Sequence, residues 1–159
     1  MSQYRYVKGA QEVQVELLAY PAKVEQRVVR TALAAGARVV RDAAKAEVPV
    51  RSGKLRGTIR VSTRARKGQV TAGVRAGDAK KGVFYAHMVA GGTKSHNIVP
   101  RRGKGLKYGE NIRRSIIHPG AKPNDFMGRA KSSIGRALEV IVERAQALID
   151  KLNKEVMGK

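Results

Sequence analysis

Apolar side chains recur along this chain with two different periods, and each change of period marks an element. From Gln11 to Leu18 the pattern alternates, Val13, Val15 and Leu17 against Glu12, Gln14 and Glu16, which predicts an edge or half-buried strand. Tyr20-Pro21 breaks it, and Pro21 suits the first position of a helix, where its missing N–H costs nothing. Over residues 21 to 47 the apolar positions move to helical spacing: Val24, Val28, Leu33 or Ala32, Gly36, Val39, Val40 and Ala43. Arg27, Arg30, Arg38, Arg41 and Lys45 fill much of the remainder. Ala35-Gly36-Ala37 forms a thin waist where another backbone can approach closely. Pro49 ends this helix by restricting Val48.

The period then returns to two. After an Arg51-Ser52-Gly53 turn, Leu55, Gly57, Ile59 and Val61 alternate with Arg56, Thr58, Arg60 and Ser62. Lys67-Gly68 makes a turn, and Val70, Ala72, Val74 and Ala76 alternate with Thr71 and Arg75. This predicts a β-hairpin with one apolar and one cationic face. Phe84 to Val89 fits either a strand or a single helical turn. Residues 90–124 show no sustained period and are read as a long basic loop, rich in glycine and proline. Pro123-Asn124-Asp125 reads as a helix start, with Asn124 or Asp125 as cap. Phe126, Ala130, Ile134, Ala137, Ile141, Ala145, Leu148 and Leu152 continue it as one stripe, which predicts a helix over 125–155. The fold class is therefore α+β: a small, mostly antiparallel sheet packed against two long helices. Residues 1–159 form a single domain in this reading, with 1–10 as a flexible N-terminus.

Composition changes this picture through charge. Thirty-three Lys and Arg stand against 12 Asp and Glu, a net charge of +21. From Val48 to Asn124 there are 18 cations and two carboxylates, Asp78 and Glu110, so the middle of the chain carries most of the field. Such an excess repels itself unless a polyanion or an acidic partner lies close. The chain has no cysteine, which excludes disulfides and thiolate metal sites. No run approaches the ~20 apolar residues of a membrane span, and no secretory signal is evident, so no membrane partner is expected. His87, His96 and His118 have no partners at metal-ligand spacing, and no nucleophile or phosphate-cradling motif is present. The middle of the chain has too few carboxylates for a Mg²⁺ site. No catalytic residue, metal or cofactor is assigned.

The order of several short motifs resembles a known family. A helix ending in Val48-Pro49 is followed by Arg51-Ser52-Gly53-Lys54-Leu55-Arg56 and a strand pair. Next come Tyr85-Ala86-His87-Met88-Val89 and Gly91-Gly92-Thr93, then Pro123-Asn124-Asp125-Phe126-Met127 before Ala130 and the last helix. This is similar to the gene-product-ten-like proteins of tailed bacteriophages, called neck, head–tail joining or tail-completion proteins. The resemblance runs from about residue 12 to 150. Here Ala90 and Gly91 stand where the family often has Glu before Gly-Thr, and Asn124-Asp125 intervene in its Pro-Phe motif. The resemblance implies a homo-oligomeric ring, often a hexamer, with connector or portal-side proteins on one side and tail-terminator or tail-tube proteins on the other. It also implies double-stranded DNA in the lumen and a place in the virion at the head–tail junction.

Two groups of cations are candidate contacts. The loop carries Lys94, Arg101, Arg102, Lys104, Lys107, Arg113 and Arg114, suited to touching phosphates without reading bases. The bland reading is a solvated face that meets acidic neighbours in a ring stack. The hairpin carries Arg56, Arg60, Arg64 and Arg75, beside Lys54, for an acidic partner or DNA; here the bland reading is a solvated sheet face. The rival function is a free, non-sequence-specific nucleic-acid-binding protein, architectural or ribosome-associated.

Overall fold

The computed structural model describes residues 9–18, 22–101, 103 and 105–157. Its helices are α1 (Ala10–Leu18), α2 (Ala22–Glu47), α3 (Lys54–Thr58), α4 (Ala86–Gly91), α5 (Phe126–Ala130) and α6 (Ile134–Met157). Its strands are β1 (Arg60–Arg66), β2 (Gln69–Arg75), β3 (His96–Ile98), β4 (Leu106–Tyr108), β5 (Asn111–Arg113) and β6 (Ile116–His118). All strand pairing is antiparallel. The fold is α+β, with a long helix packed against a small sheet, as the periodicity indicates. The chain divides into two compact units, Met1–Ala76 with Phe126–Lys159, and Gly77–Asp125.

The first unit is built in layers around α2, which packs against α6 and against both strands of the β1–β2 hairpin. Val28 and Ala32 of α2 join Val13, Ala145 and Ile149 in the core, and Ile149 is fully buried. Arg30 lies two residues from each of Val28 and Ala32, so about 160–200° round the helix. Its Nε donates to Thr63 Oγ1 of β1 at 3.2 Å, which puts the hairpin on the side of α2 opposite α6. Gly36 is the closest approach of the two long helices: a Cβ there would lie 2.4 Å from Ile141 Cγ1 and 2.6 Å from the Ala137 carbonyl. The small-residue waist read from Ala35-Gly36-Ala37 serves this contact.

Three expectations for this unit need correction or refinement. Residues 11–18 are helical, not a strand. Val13 is buried whereas Val15 is exposed, so the alternating apolar set does not share a face. Ala, Gln, Glu and Leu all favour helix, and packing on α6 decides the conformation. Leu55 to Thr58 also leave the hairpin. Gly53 adopts a left-handed conformation (φ 72°), Leu55 and Thr58 turn inward on one helical turn, and Thr58 Oγ1 donates to the Leu55 carbonyl at 2.7 Å. The hairpin proper starts at Arg60, and Arg56 and Lys54 sit on α3. The last helix is interrupted at Lys131–Ser133 by a 3-10 turn, where Ser132 and Ser133 hydroxyls donate to the carbonyls three residues back. The expected helix-starting Pro21 lies outside the described residues, as does the N-terminus through residue 8.

The second unit opens with a small closed turn, in which Asp78 and Val83 exchange backbone hydrogen bonds and the Asp78 carboxylate accepts from the Lys80 N–H. Phe84–Val89 resolves as helix: α4 starts at Ala86 and stops at Gly92, whose φ of 70° redirects the chain. Residues 93–121, read as unstructured, form a two-stranded arm. Thr93 and Ala121 close its neck with two backbone bonds of 2.9 and 3.0 Å. β3 and β6 continue the same register, and β4 and β5 form its tip around Gly109-Glu110.

Candidate nucleic-acid and partner interface

The arm gathers the loop cations that the sequence singles out. Lys94 is just inside the neck, Lys107 is on β4, Arg113 on β5, and Arg114 follows it. Arg101 lies in the bend between β3 and β4, and all five are exposed. Arg102 and Lys104 lie outside the described residues. The only carboxylate from Thr93 to Ala121 is Glu110, at the tip turn. The field of the arm is therefore that of a cationic ribbon.

Its backbone is fixed near the neck by polar side chains. His96 and His118 are cross-strand partners with rings stacked at 5.1 Å and 24°. His96 Nδ1 donates to the Lys94 carbonyl at 3.0 Å, whereas His118 Nδ1 accepts from the Gly120 N–H at 3.0 Å. Ser95 Oγ adds a bond to the His118 carbonyl at 3.1 Å. Farther out, Ile117 and Ile112 are 76% and 79% exposed, and Ile98 and Val99 are also exposed. An arm this thin cannot bury its own branched side chains. It sets exposed cations beside exposed apolar side chains.

The second cluster is the outer face of the β1–β2 hairpin. Strand register places Arg60 directly opposite Arg75, Arg64 opposite Thr71, and Arg66 opposite Gln69. All four arginines share the face turned away from α2, because Thr63, on the other face, bonds to Arg30. The Arg60–Arg75 pairing sets like charges across the ladder, and Arg60 Nη1 donates to the Thr58 carbonyl at 3.3 Å. Arg56 sits on α3 and is not part of this strand face. Arg66 was missed in the sequence although it stands two residues beyond Arg64, which is the strand period. The hairpin turn is a two-residue one, with φ of 50° at Lys67 and 77° at Gly68.

Carboxylates are used differently. Arg129 donates to the side chain of Glu47 and, through Nη2 at 3.1 Å, to its backbone carbonyl, closing the C-terminus of α2. The Arg41 guanidinium hydrogen-bonds Asp42 at 2.9 and 3.0 Å and holds that carboxyl below its ordinary value. Arg136 Nη1 bridges Glu139 at 2.9 Å and Glu143 at 3.4 Å on α6, and its own pKa is raised by that company. Among the described residues no group of three or more His, Asp or Glu side chains is placed to hold a metal ion, and no helix is long and apolar enough to cross a membrane.

Residues 11–92 match the family model described as "Bacteriophage HK97-gp10, putative tail-component". The matched span is just over half the chain and runs from α1 to the glycine that ends α4, directly before the arm. No curated protein and no solved structure matches the chain.

Proposed function

Because the chain belongs to the HK97-gp10-like family of bacteriophage tail components, we propose that it is a structural, non-enzymatic subunit of the head–tail junction. In this reading copies close into a ring, a hexamer on the family resemblance, between the connector or portal side and the tail-terminator or tail-tube side. DNA passes through the lumen, and the subunit resides in the virion. The observation that carries the reading is the arm, in which cations and exposed branched aliphatics alternate with a single carboxylate. Lys94, Arg101, Arg102, Lys104, Lys107, Arg113 and Arg114 contact phosphates without reading bases, so passing DNA of any sequence is tolerated. The aliphatic residues are covered by a neighbouring protein.

The net charge of +21 favours one other reading, a free nucleic-acid-binding protein. Duplex binding by the purified chain as a function of salt separates the two. The junction reading expects weak binding by the monomer, ring particles in electron micrographs, and the chain among the proteins of purified virions. Tight monomer binding, with log K falling against log salt at about 0.9 per phosphate contacted, and virions lacking the chain would establish the rival.

A further inference from the structure

The first unit carries a cationic strand face on its hairpin and a line of carboxylates on α6. Arg60, Arg64, Arg66 and Arg75 occupy the outer face of the β1–β2 hairpin. At a strand rise of about 3.4 Å, Arg60 and Arg66 lie roughly 20 Å apart. No carboxylate occurs in the sequence between Glu47 and Asp78, so this face has no acidic neighbour in its own segment. On α6, Glu139, Glu143, Gln146 and Asp150 follow one another at spacings of four, three and four, which draws one line about 16 Å long. Glu139, Glu143 and Asp150 are exposed, and Gln146 Nε2 donates to Asp150 at 3.1 Å. Arg136 pairs with Glu139 and Glu143, two of the three carboxylates, and offsets part of this charge. Glu139 and Glu143 stand two residues from Ala137, Ile141 or Ala145, about 160° round the helix, while Gln146 and Asp150 stand one residue from Ala145 and Ile149, about 100° round it, so the line turns away from α2 in its first half and runs along the flank of α6 in its second. With α2 between them, the arginine face and the carboxylate line point apart and do not meet within one chain.

We propose that they meet between chains: the outer face of the hairpin of one copy docks on the outer face of α6 of the next. Their lengths and signs match. Duplex DNA is the other polyanion that could occupy the hairpin, but it would leave the α6 line unused. Joining unlike surfaces head to tail propagates from copy to copy, and closes into a ring when the rotation per step divides a full turn. Ion pairs of this kind set partner choice and register more than affinity. The inference rests on the ring reading above and names the contact that would build it.

Reciprocal charge reversal in the full-length chain tests it, read by sedimentation velocity over a concentration series. Wild type is expected to assemble. R64E/R66E and E139K/E143K are each expected to raise the concentration for half-assembly at least tenfold. An equimolar mixture of the two, and a single chain carrying all four substitutions, are expected to assemble again, because each restores opposite signs at every contact. An unfolded variant could not be rescued by mixing. The chain has no cysteine, so S62C/Q146C gives a second readout: oxidation is expected to yield a ladder of covalent oligomers. One-sided variants that assemble like wild type, or the absence of that ladder from assembled rings, would overturn the contact and leave the ring standing. A wild-type chain that stays monomeric at every concentration, with no rings in particles, would overturn the ring reading and the contact with it.

Discussion

Gly36 shows how one residue sets the spacing of the first unit. A methyl group there would sit 2.6 Å from the Ala137 carbonyl, a backbone atom that moves only if α6 moves. Gly36→Ala gains up to about 1 kcal/mol of helix propensity but forces α2 and α6 apart. Overpacking of this kind typically costs about 1–3 kcal/mol. The variant is expected to be less stable than wild type in urea denaturation; a more stable variant would show that the helices are not held at this distance. Asp42 acts with the opposite economy of means. Its carboxyl is depressed chiefly by the hydrogen bond from Arg41. A depressed carboxylate stabilises the fold above its ordinary value and loses that contribution as pH falls through its folded value. The pair is largely exposed, so Asp42→Asn is expected to cost at most about 0.5 kcal/mol at neutral pH and nothing in strong acid. Chemical denaturation at two pH values reads the difference. The waist at Gly36 was legible in advance because three small residues inside a strongly striped helix have few other uses.

Element by element, legibility follows length. The stripe on α2 and α6 repeats over more than twenty residues; both ends of α2 and the C-terminus of α6 come out within two positions of those read from periodicity, while the start read at residue 125 belongs to the separate α5. The hairpin from Arg60 to Arg75 follows its alternation closely, down to the Lys67-Gly68 turn. Leu55 to Thr58 and Gln11 to Leu18 failed for the same reason. Over five to eight residues a period of two and a helical turn place apolar groups at overlapping positions, and tertiary contact decides. The arm was invisible because its strands have three residues each, too few to show a period, and Pro100, Gly103 and Gly105 interrupt them. Its charges were legible, since charge needs no period. Gly120 (φ 88°) holds the neck, and a Cβ there would clash with the Thr93 carbonyl oxygen. Gly120→Ala is expected to open the Thr93–Ala121 closure and displace the N–H that His118 accepts. Hydrogen exchange would then speed up at amides of β3 and β6, while amides of α2 and α6 keep their protection. Equal loss of protection in α2 would show that the neck supports the first unit as well.

For the whole molecule, the net charge of +21 is a standing cost, and its distribution says how that cost responds to salt. The ion pairs on α2, α5 and α6 bring carboxylates to cations on the helices. The segment from Val48 to Asn124 has 18 cations for two carboxylates, so its repulsion is long-ranged and collective. Raising salt from about 0.01 M to about 0.1 M shortens the screening length from about 30 Å to about 10 Å. Distant like charges then stop opposing the compact state, while pairs in contact lose little. The melting temperature is therefore expected to rise over this range, opposite to the trend for a protein held together by surface ion pairs. Neutralising cations of the middle segment, as in R64Q/R66Q, should flatten the rise. If the melting temperature stayed level with salt, the middle segment would not be under electrostatic strain in the isolated chain, and the need for an anionic partner would lose its physical basis. If it rises, salt is screening a repulsion that a polyanion or an acidic neighbouring surface would relieve in the same way.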